Sequence, residues 1–270
     1  MYLCKFFGVV RAVFVVAGLS FAMVSLSPCV SSWAEANKPQ EQEDLTWQVE
    51  QVMQILDKAR ESYAKLKDYT ALIHKEEYKD GERVKDEETI IKFQKPFKVY
   101  LKWLSGKNKG TQLLFVEGKY DDKLIIRKGG GFLKKVFGTM EMDPNGFWLR
   151  KFTKHSIWEV GFAGVIDTSY NAFKNAQKQG FVSAAQVTMS EIEGRPAYKL
   201  VLVVNEEGEE NGFYCRSSIQ YYDTQSNLPI KATFWLWEDD TAEILTFSDV
   251  KLNVKLPPFH FDKDNEEYKF

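Results

Sequence analysis

The sequence predicts an α+β protein in which helices cover one side of a large antiparallel sheet. Most of the chain after Tyr69 consists of strand-length apolar runs that alternate with a period of two, and short polar turns separate them, as in an antiparallel meander. Two segments, beginning at Asp44 and at Ser156, instead repeat their apolar residues every three or four positions, which is typical of helices. Because no repeat or linker interrupts residues 44–270, we expect a single domain there.

The N-terminus has the pattern of a secretory signal. Residues 1–34 begin with the thin positive charge of Lys5 and Arg11, continue through an uncharged apolar run and end at small residues. An uncleaved membrane anchor is the alternative, since a span needs about 20 apolar residues. The polar composition of residues 35–43 predicts a flexible linker. Cleavage would change the formal net charge from −2 to −4, which gives no electrostatic case for nucleic acid as a partner.

The first helix is predicted from Asp44 to Leu66, where one apolar stripe continues for about six turns. A strand over residues 69–78 follows, and Asp80-Gly81 is typical of a hairpin turn. The next strand is expected from Arg83 to Trp103. It should have an edge or a bulge at Pro96, because proline has no N–H to donate to the ladder.

One lysine interrupts the apolar face of this strand. Strand alternation separates the odd positions from the mostly polar even positions, and Lys95 falls among the odd ones. A buried cation costs free energy unless it is paired, so Lys95 marks either a register slip or a site. The apolar members of the same face are Ile91, Phe93, Phe97, Val99, Leu101 and Trp103.

A second helix is predicted from Ser156, because Ser156 and Glu159 fit a capping box. Apolar residues, among them Trp158 and Phe162, cover much of its circumference. This helix is therefore expected to be buried or to form a lid over the sheet. Strands return between Tyr198 and Leu252.

The residue types that carry catalysis do not form any constellation. His74, His155 and His260 have neither helical ligand spacing nor a cysteine partner, so a zinc site is not favoured. Cys215 lies on an apolar strand face and is expected to be a small core residue. Adjacent acids such as Glu76-Glu77 are expected to be solvated. We therefore expect no enzymatic activity, no metal and no cofactor.

Aromatic residues on the strands leave two interpretations open. They either fill the core, or the sheet curls into an open barrel whose mouth they plug, which would leave an apolar cavity. These residues are Trp103, Tyr198, Tyr214, Tyr221, Phe234, Trp235 and Trp237.

Several segments resemble a bacterial domain family of unknown function that is predicted to share the fold of LolA-type periplasmic lipoprotein carriers. They are Gln94–Trp103 (QKPFKVYLKW), Gly110–Ile125, Met142–Pro144, His155–Gly161 and the tail Leu252–Asp262. The resemblance implies an eleven-stranded half-barrel with a helical lid over a hydrophobic cavity, in the periplasm of a Gram-negative-type bacterium. It also implies shielding of lipoprotein acyl chains. Carriers of this type have an Arg-Pro pair whose arginine points into the cavity. Lys95-Pro96 matches this pair in position, but lysine lacks the planar set of donors of arginine.

Our leading hypothesis is an exported, non-catalytic carrier or sensor for a hydrophobic ligand, such as a lipid or an acylated protein. An envelope regulatory or scaffold module that binds a protein partner is the alternative, and a hydrolase is the least favoured class. The strand and the lid supply the candidate ligand-binding residues Phe93, Lys95, Phe97, Val99, Leu101, Trp103, Trp158 and Phe162.

Overall fold

A computed structural model describes most of the chain, with side chains from residue 44 onward. The predicted signal over residues 1–34 lies almost wholly outside the described part. By compactness the chain divides into two units, residues 1–41 and residues 42–270. No helix in the described part is both long and apolar enough to cross a membrane. The described residues are 31–129, 138–146, 156–238, 240–268 and 270.

Eleven strands form one antiparallel sheet. Those of the first half are β1 (Asp68–Lys79), β2 (Glu82–Gln94), β3 (Lys98–Trp103), β4 (Gln112–Val116), β5 (Leu124–Arg127) and β6 (Thr139–Met142). Those of the second half are β7 (Val182–Ile192), β8 (Arg195–Val204), β9 (Ser217–Asp223), β10 (Pro229–Trp235) and β11 (Ala242–Leu252). Their spatial order is β6-β5-β4-β3-β2-β1-β11-β10-β9-β8-β7, so two meanders join where β1 pairs with β11. The predicted α+β class with a curved, unclosed antiparallel sheet is confirmed.

The prediction of one long strand from Arg83 to Trp103 is wrong. The segment is a hairpin, in which β2 and β3 pair antiparallel and a turn at residues 95–97 joins them. Phe93 lies opposite Val99, and both side chains point to the same face. Odd positions therefore remain together on both sides of the turn. For this reason the alternation identified the buried face although the strand count was wrong.

Three α-helices accompany the sheet in the described residues. α1 (Ser31–Lys65) begins well before Asp44, so residues 35–43, expected to be a linker, are helical. The capping box at Ser156 is confirmed, but it caps a short 3-10 helix, Ile157–Glu159. Gly161, with a positive φ of 69°, then separates the 3-10 helix from α2 (Phe162–Gln179). α3 (Glu207–Glu210) is a single turn.

Two strands, β6 and β7, had no strand prediction. β7 is an edge strand whose residues are mostly exposed or half-buried, so its apolar alternation is weak. β6 has only four residues and no fully buried side chain. Edge strands of this kind give little hydrophobic signal, because neither face is strongly buried.

Both faces of the sheet are covered. The inner face packs against the apolar sides of α1 and α2, and Val52, Leu56, Phe162 and Ile166 are completely buried there. A smaller core lies on the outer face, where the C-terminal segment folds back over β3, β4 and β5. There Tyr268 stacks on Tyr100, with ring centroids 3.8 Å apart.

Candidate functional site

A cavity of about 260 Å³ lies between the inner face of the sheet and the segment that contains the 3-10 helix and the start of α2. Gly161 and Gly164 border it, and neither has space for a larger side chain. A Cβ at Gly161 would overlap the Tyr69 hydroxyl, and one at Gly164 would overlap the Glu159 carbonyl oxygen. The apolar part of the wall includes Ile73, Leu101, Trp103, Val165, Leu245 and Phe247.

The register of the sheet gives the cavity an apolar part and a charged part. Across β11, β1, β2 and β3, the row Phe247, Ile73, Thr89 and Trp103 lies on the inner face. The next row on the same face is Leu245, Lys75 and Glu87, and the one after it is Glu243, Glu77 and Lys85. The inner face therefore changes from apolar to charged within two steps along the strands.

Five residues of these rows form what we call the charged cluster: Lys75, Glu77, Lys85, Glu87 and Glu243. Lys75 Nζ lies 2.9 Å from Glu77 Oε1 and 3.1 Å from Glu243 Oε2. Lys85 Nζ lies 3.3 Å from the same Glu77 oxygen and 3.4 Å from Glu87 Oε2. Only 4% of Glu87 and 3% of Glu243 are exposed, so these carboxylates are buried beside the cavity.

The local electrostatics shift two pKa values in opposite directions. Burial raises the pKa of Glu77, but the hydrogen bond and charge of Lys75 and the charge of Lys85 outweigh it, so its pKa lies below the usual value. Burial and the adjacent charge of Glu243 raise the pKa of Tyr214, which also borders the cavity. Glu77 is therefore ionised and Tyr214 is neutral at pH 7.

The charged cluster was not predicted, and Glu77 is not the solvated acid that was expected. A β-bulge between Glu77 and Tyr78 explains why. On the side of the bulge nearer the hairpin turn, Lys79 pairs with Glu82. If that register continued along the hairpin, odd-numbered residues of β1 would lie opposite even-numbered residues of β2. The bulge shifts this register by one and brings Lys75 opposite Glu87. Sequence alternation alone does not reveal such a shift.

The predicted ligand-binding residues separate into four groups. Leu101 and Trp103 line the cavity. Phe93, Val99 and Phe162 are buried in the inner core and are not part of the cavity wall.

Phe97 and Trp158 lie outside the cavity wall as well. Their ring centroids are 4.5 Å apart, and the Trp158 ring also meets Phe115 edge-on at 5.0 Å. These contacts of Trp158 pack the 3-10 helix against the sheet.

Lys95 serves as a partner for the end of α1. Its Nζ donates to the carbonyl oxygens of Tyr63 at 2.6 Å and Ala64 at 2.9 Å, in the last turn of the helix. It also lies 4.6 Å from the centre of the Tyr63 ring. Burial lowers its pKa. A cation at a helix C-terminus is stabilised by the carbonyl groups exposed there, so these contacts account for a lysine on an otherwise apolar face.

The described residues contain no group of three potential ligands placed to hold a metal ion. Burial raises the pKa of the Cys215 thiol to about 12, so this cysteine is protonated at pH 7 and a poor nucleophile. His74 Nε2 lies 2.7 Å from Asp86 Oδ1 in a partly exposed pair. The groups that border the cavity are largely apolar side chains, with the charged cluster at one end.

These features define an α+β protein with an unclosed antiparallel sheet and a largely apolar internal cavity. The chain belongs to the family described as a protein of unknown function, DUF1571, whose model matches residues 66–270. This match confirms the predicted family. No curated protein matches the sequence significantly.

Solved structures similar to this chain have low sequence identity. The Mycobacterium tuberculosis lipoprotein LppX is 12% identical over 76% of this chain and 96% of that chain, with a TM-score of 0.44. A LolA superfamily protein from Nitrosomonas europaea is 14% identical over 78% and 97%, with a TM-score of 0.36. A chain in the Pseudomonas aeruginosa MucA/MucB complex is 12% identical over 78% of this chain and 60% of that chain, with a TM-score of 0.39. This chain therefore spans less than two thirds of that one.

Proposed function

We propose that this protein is an exported, non-catalytic binding protein for a hydrophobic ligand such as the acyl chain of a lipid or lipoprotein. The observation that carries the proposal is the cavity of about 260 Å³ with largely aliphatic and aromatic walls. Burial of each methylene group contributes about 0.8 kcal/mol, so a chain of several methylenes binds without any reactive group. Export to the periplasm is part of the same proposal and is supported by the signal-like residues 1–34.

The size of the cavity favours one chain over several. Ligand pockets commonly enclose about 300–1,000 Å³, and this cavity is slightly smaller than that range. A single aliphatic chain is therefore the ligand class that we propose, and a diacyl lipid would need a larger cavity.

The test uses N-phenyl-1-naphthylamine, a neutral apolar dye whose fluorescence rises when it leaves water. The delipidated protein should give a saturable rise in fluorescence. Leu245→Trp should abolish the rise, because Leu245 lines the cavity and is only half-buried, so a larger ring can enter the space. Ile244→Trp is the matched control, since the neighbouring side chain points to the other face of the sheet.

Loss of dye binding in both variants, or in neither, would contradict the proposal. Absence of dye binding by the unaltered protein, together with a stoichiometric protein partner recovered from envelope extracts, would support the scaffold function in its place.

A further inference from the structure

The charged cluster gives the cavity a polar end with a definite sign. It contains two lysines and three glutamates, so its formal charge is −1. Among the described residues that line the cavity, Lys75 and Lys85 supply the positive charge, and each already lies within 3.4 Å of two carboxylates.

This arrangement discriminates between headgroups. An anionic headgroup would add a negative charge to a partly buried cluster that already has an excess of it, and both lysines of the cluster are already paired with carboxylates. A cationic headgroup would balance the excess and could donate charge-assisted hydrogen bonds to carboxylate oxygens. A neutral alcohol would gain hydrogen bonds without the charge.

The position of the cluster also suits an amphiphile. Its rows directly follow the apolar row that contains Trp103, so a ligand with its chain on the apolar wall would bring its polar end to Glu87 and Glu243. Lys85 and Glu87 also line a second, polar groove. Its other charged residues are Glu77, Arg83, Asp86 and Lys107, so the formal charge of the groove is zero and does not offset the excess negative charge of the cluster. The polar end of a ligand would thus lie between the cavity and a polar surface.

We infer that the preferred ligand is a single-chain amphiphile whose headgroup is a protonated amine. This inference rests on the proposed function and names the chemical class of its ligand. Two observations support the inference. The partly buried charged cluster has an excess of negative charge, and it lies at the end of an apolar cavity.

The experiment measures displacement of the bound dye by decylamine, decanol and decanoate at pH 7, each below its micelle concentration. Decylamine should compete roughly tenfold better than the other two, as expected for one charge-assisted hydrogen bond. Equal competition by all three, or better competition by decanoate, would overturn the inference while leaving the proposed function intact. Failure to bind the dye at all would instead overturn the proposed function.

Two substitutions change the charge in opposite directions. Glu243→Gln removes one negative charge and should reduce the preference for decylamine, whereas Lys85→Gln removes a positive charge and should increase it. Lys85 is partly exposed, so its variant remains informative if Glu243→Gln does not fold. Glu88→Gln, on the opposite face of β2, should leave the preference unchanged. Equal preferences in the Lys85 and Glu88 variants would contradict the inference.

Discussion

Lys95 shows how a residue that violates a strand pattern can have a local structural cause. Its ammonium group pairs with two carbonyl oxygens at the end of α1, so it connects that helix to the β2–β3 turn. The alternation predicted correctly that Lys95 is exceptional. The partner could not be predicted, because it lies 31 and 32 residues earlier in the chain, at a helix end whose approach depends on tertiary packing.

Replacement of Lys95 should therefore destabilise the protein. Lys95→Met leaves the two carbonyl groups without this donor and should lower the free energy of unfolding by about 1–2 kcal/mol, measured by urea denaturation. Lys98→Met is the control, since the Lys98 ammonium group donates to the side chain of Gln94 and not, among the described residues, to a helix end. Equal stabilities of the two variants would rule out the role of Lys95 at the helix end.

Glu77 predicts a specific dependence of stability on pH. Its pKa is lower in the folded protein than its usual 4.5, so its contribution to stability is present above that value and is lost as pH falls through the folded pKa. Glu77→Gln should lower stability at pH 7, and the difference from the unaltered protein should shrink below about pH 4.5. Denaturant titrations between pH 3 and 7 measure this. A stability deficit of the Glu77 variant that stays constant between pH 3 and pH 7 would contradict the assignment.

At the scale of elements, the C-terminal segment covers the outer face of β3, β4 and β5. Its position could not be predicted from the sequence, because Lys92, which it contacts, lies 168 residues before His260 in the chain. Lys92 Nζ lies 3.0 Å from His260 Nδ1 and 3.1 Å from the Tyr268 hydroxyl, so β2 holds the segment through polar contacts as well as through packing. Burial and the charge of Lys92 lower the pKa of His260.

Truncation of Tyr268 should show how much this segment contributes. Tyr268 is 2% exposed, and Tyr268→Ala should destabilise the protein by about 3 kcal/mol, as is usual for buried aromatic residues. Thermal and urea unfolding measure the change. Phe259→Ala should have little effect, because half of that side chain is exposed. A small effect at both positions would mean that the segment is not part of the cooperative fold.

The junction between the 3-10 helix and α2 depends on Gly161. Its φ is +69°, and a Cβ there would overlap the Tyr69 hydroxyl. Gly161→Ala should therefore cost about 1–3 kcal/mol more than Gly81→Ala in urea unfolding. Gly81 has a similar φ of +76°, but a Cβ there would meet no atom of the described residues within 4 Å, so Gly81→Ala isolates the backbone cost. Equal losses would show that the contact with Tyr69 is not restrictive.

At the scale of the whole molecule, the pattern of alternating runs and two helices was sufficient to predict the class and the antiparallel connectivity. It was not sufficient for the cavity, because the site needs residues from seven strands and from the start of α2. Of the eight predicted ligand-binding residues, Leu101 and Trp103 line it, since alternation identifies a face but not the part of that face that the helices leave uncovered. The bulge at Glu77 and the pairing of β1 with β11 determine which other residues border the cavity. Both features depend on long-range packing.

The central claim is that the cavity accepts an apolar chain, and its most direct test is a crystal structure of the protein soaked with 1-bromodecane. The bromine atom locates the chain by anomalous scattering without dependence on any headgroup. We predict bromine density enclosed by Trp103, Val165 and Leu245. Density at other places in the molecule, with the cavity empty, would contradict the claim.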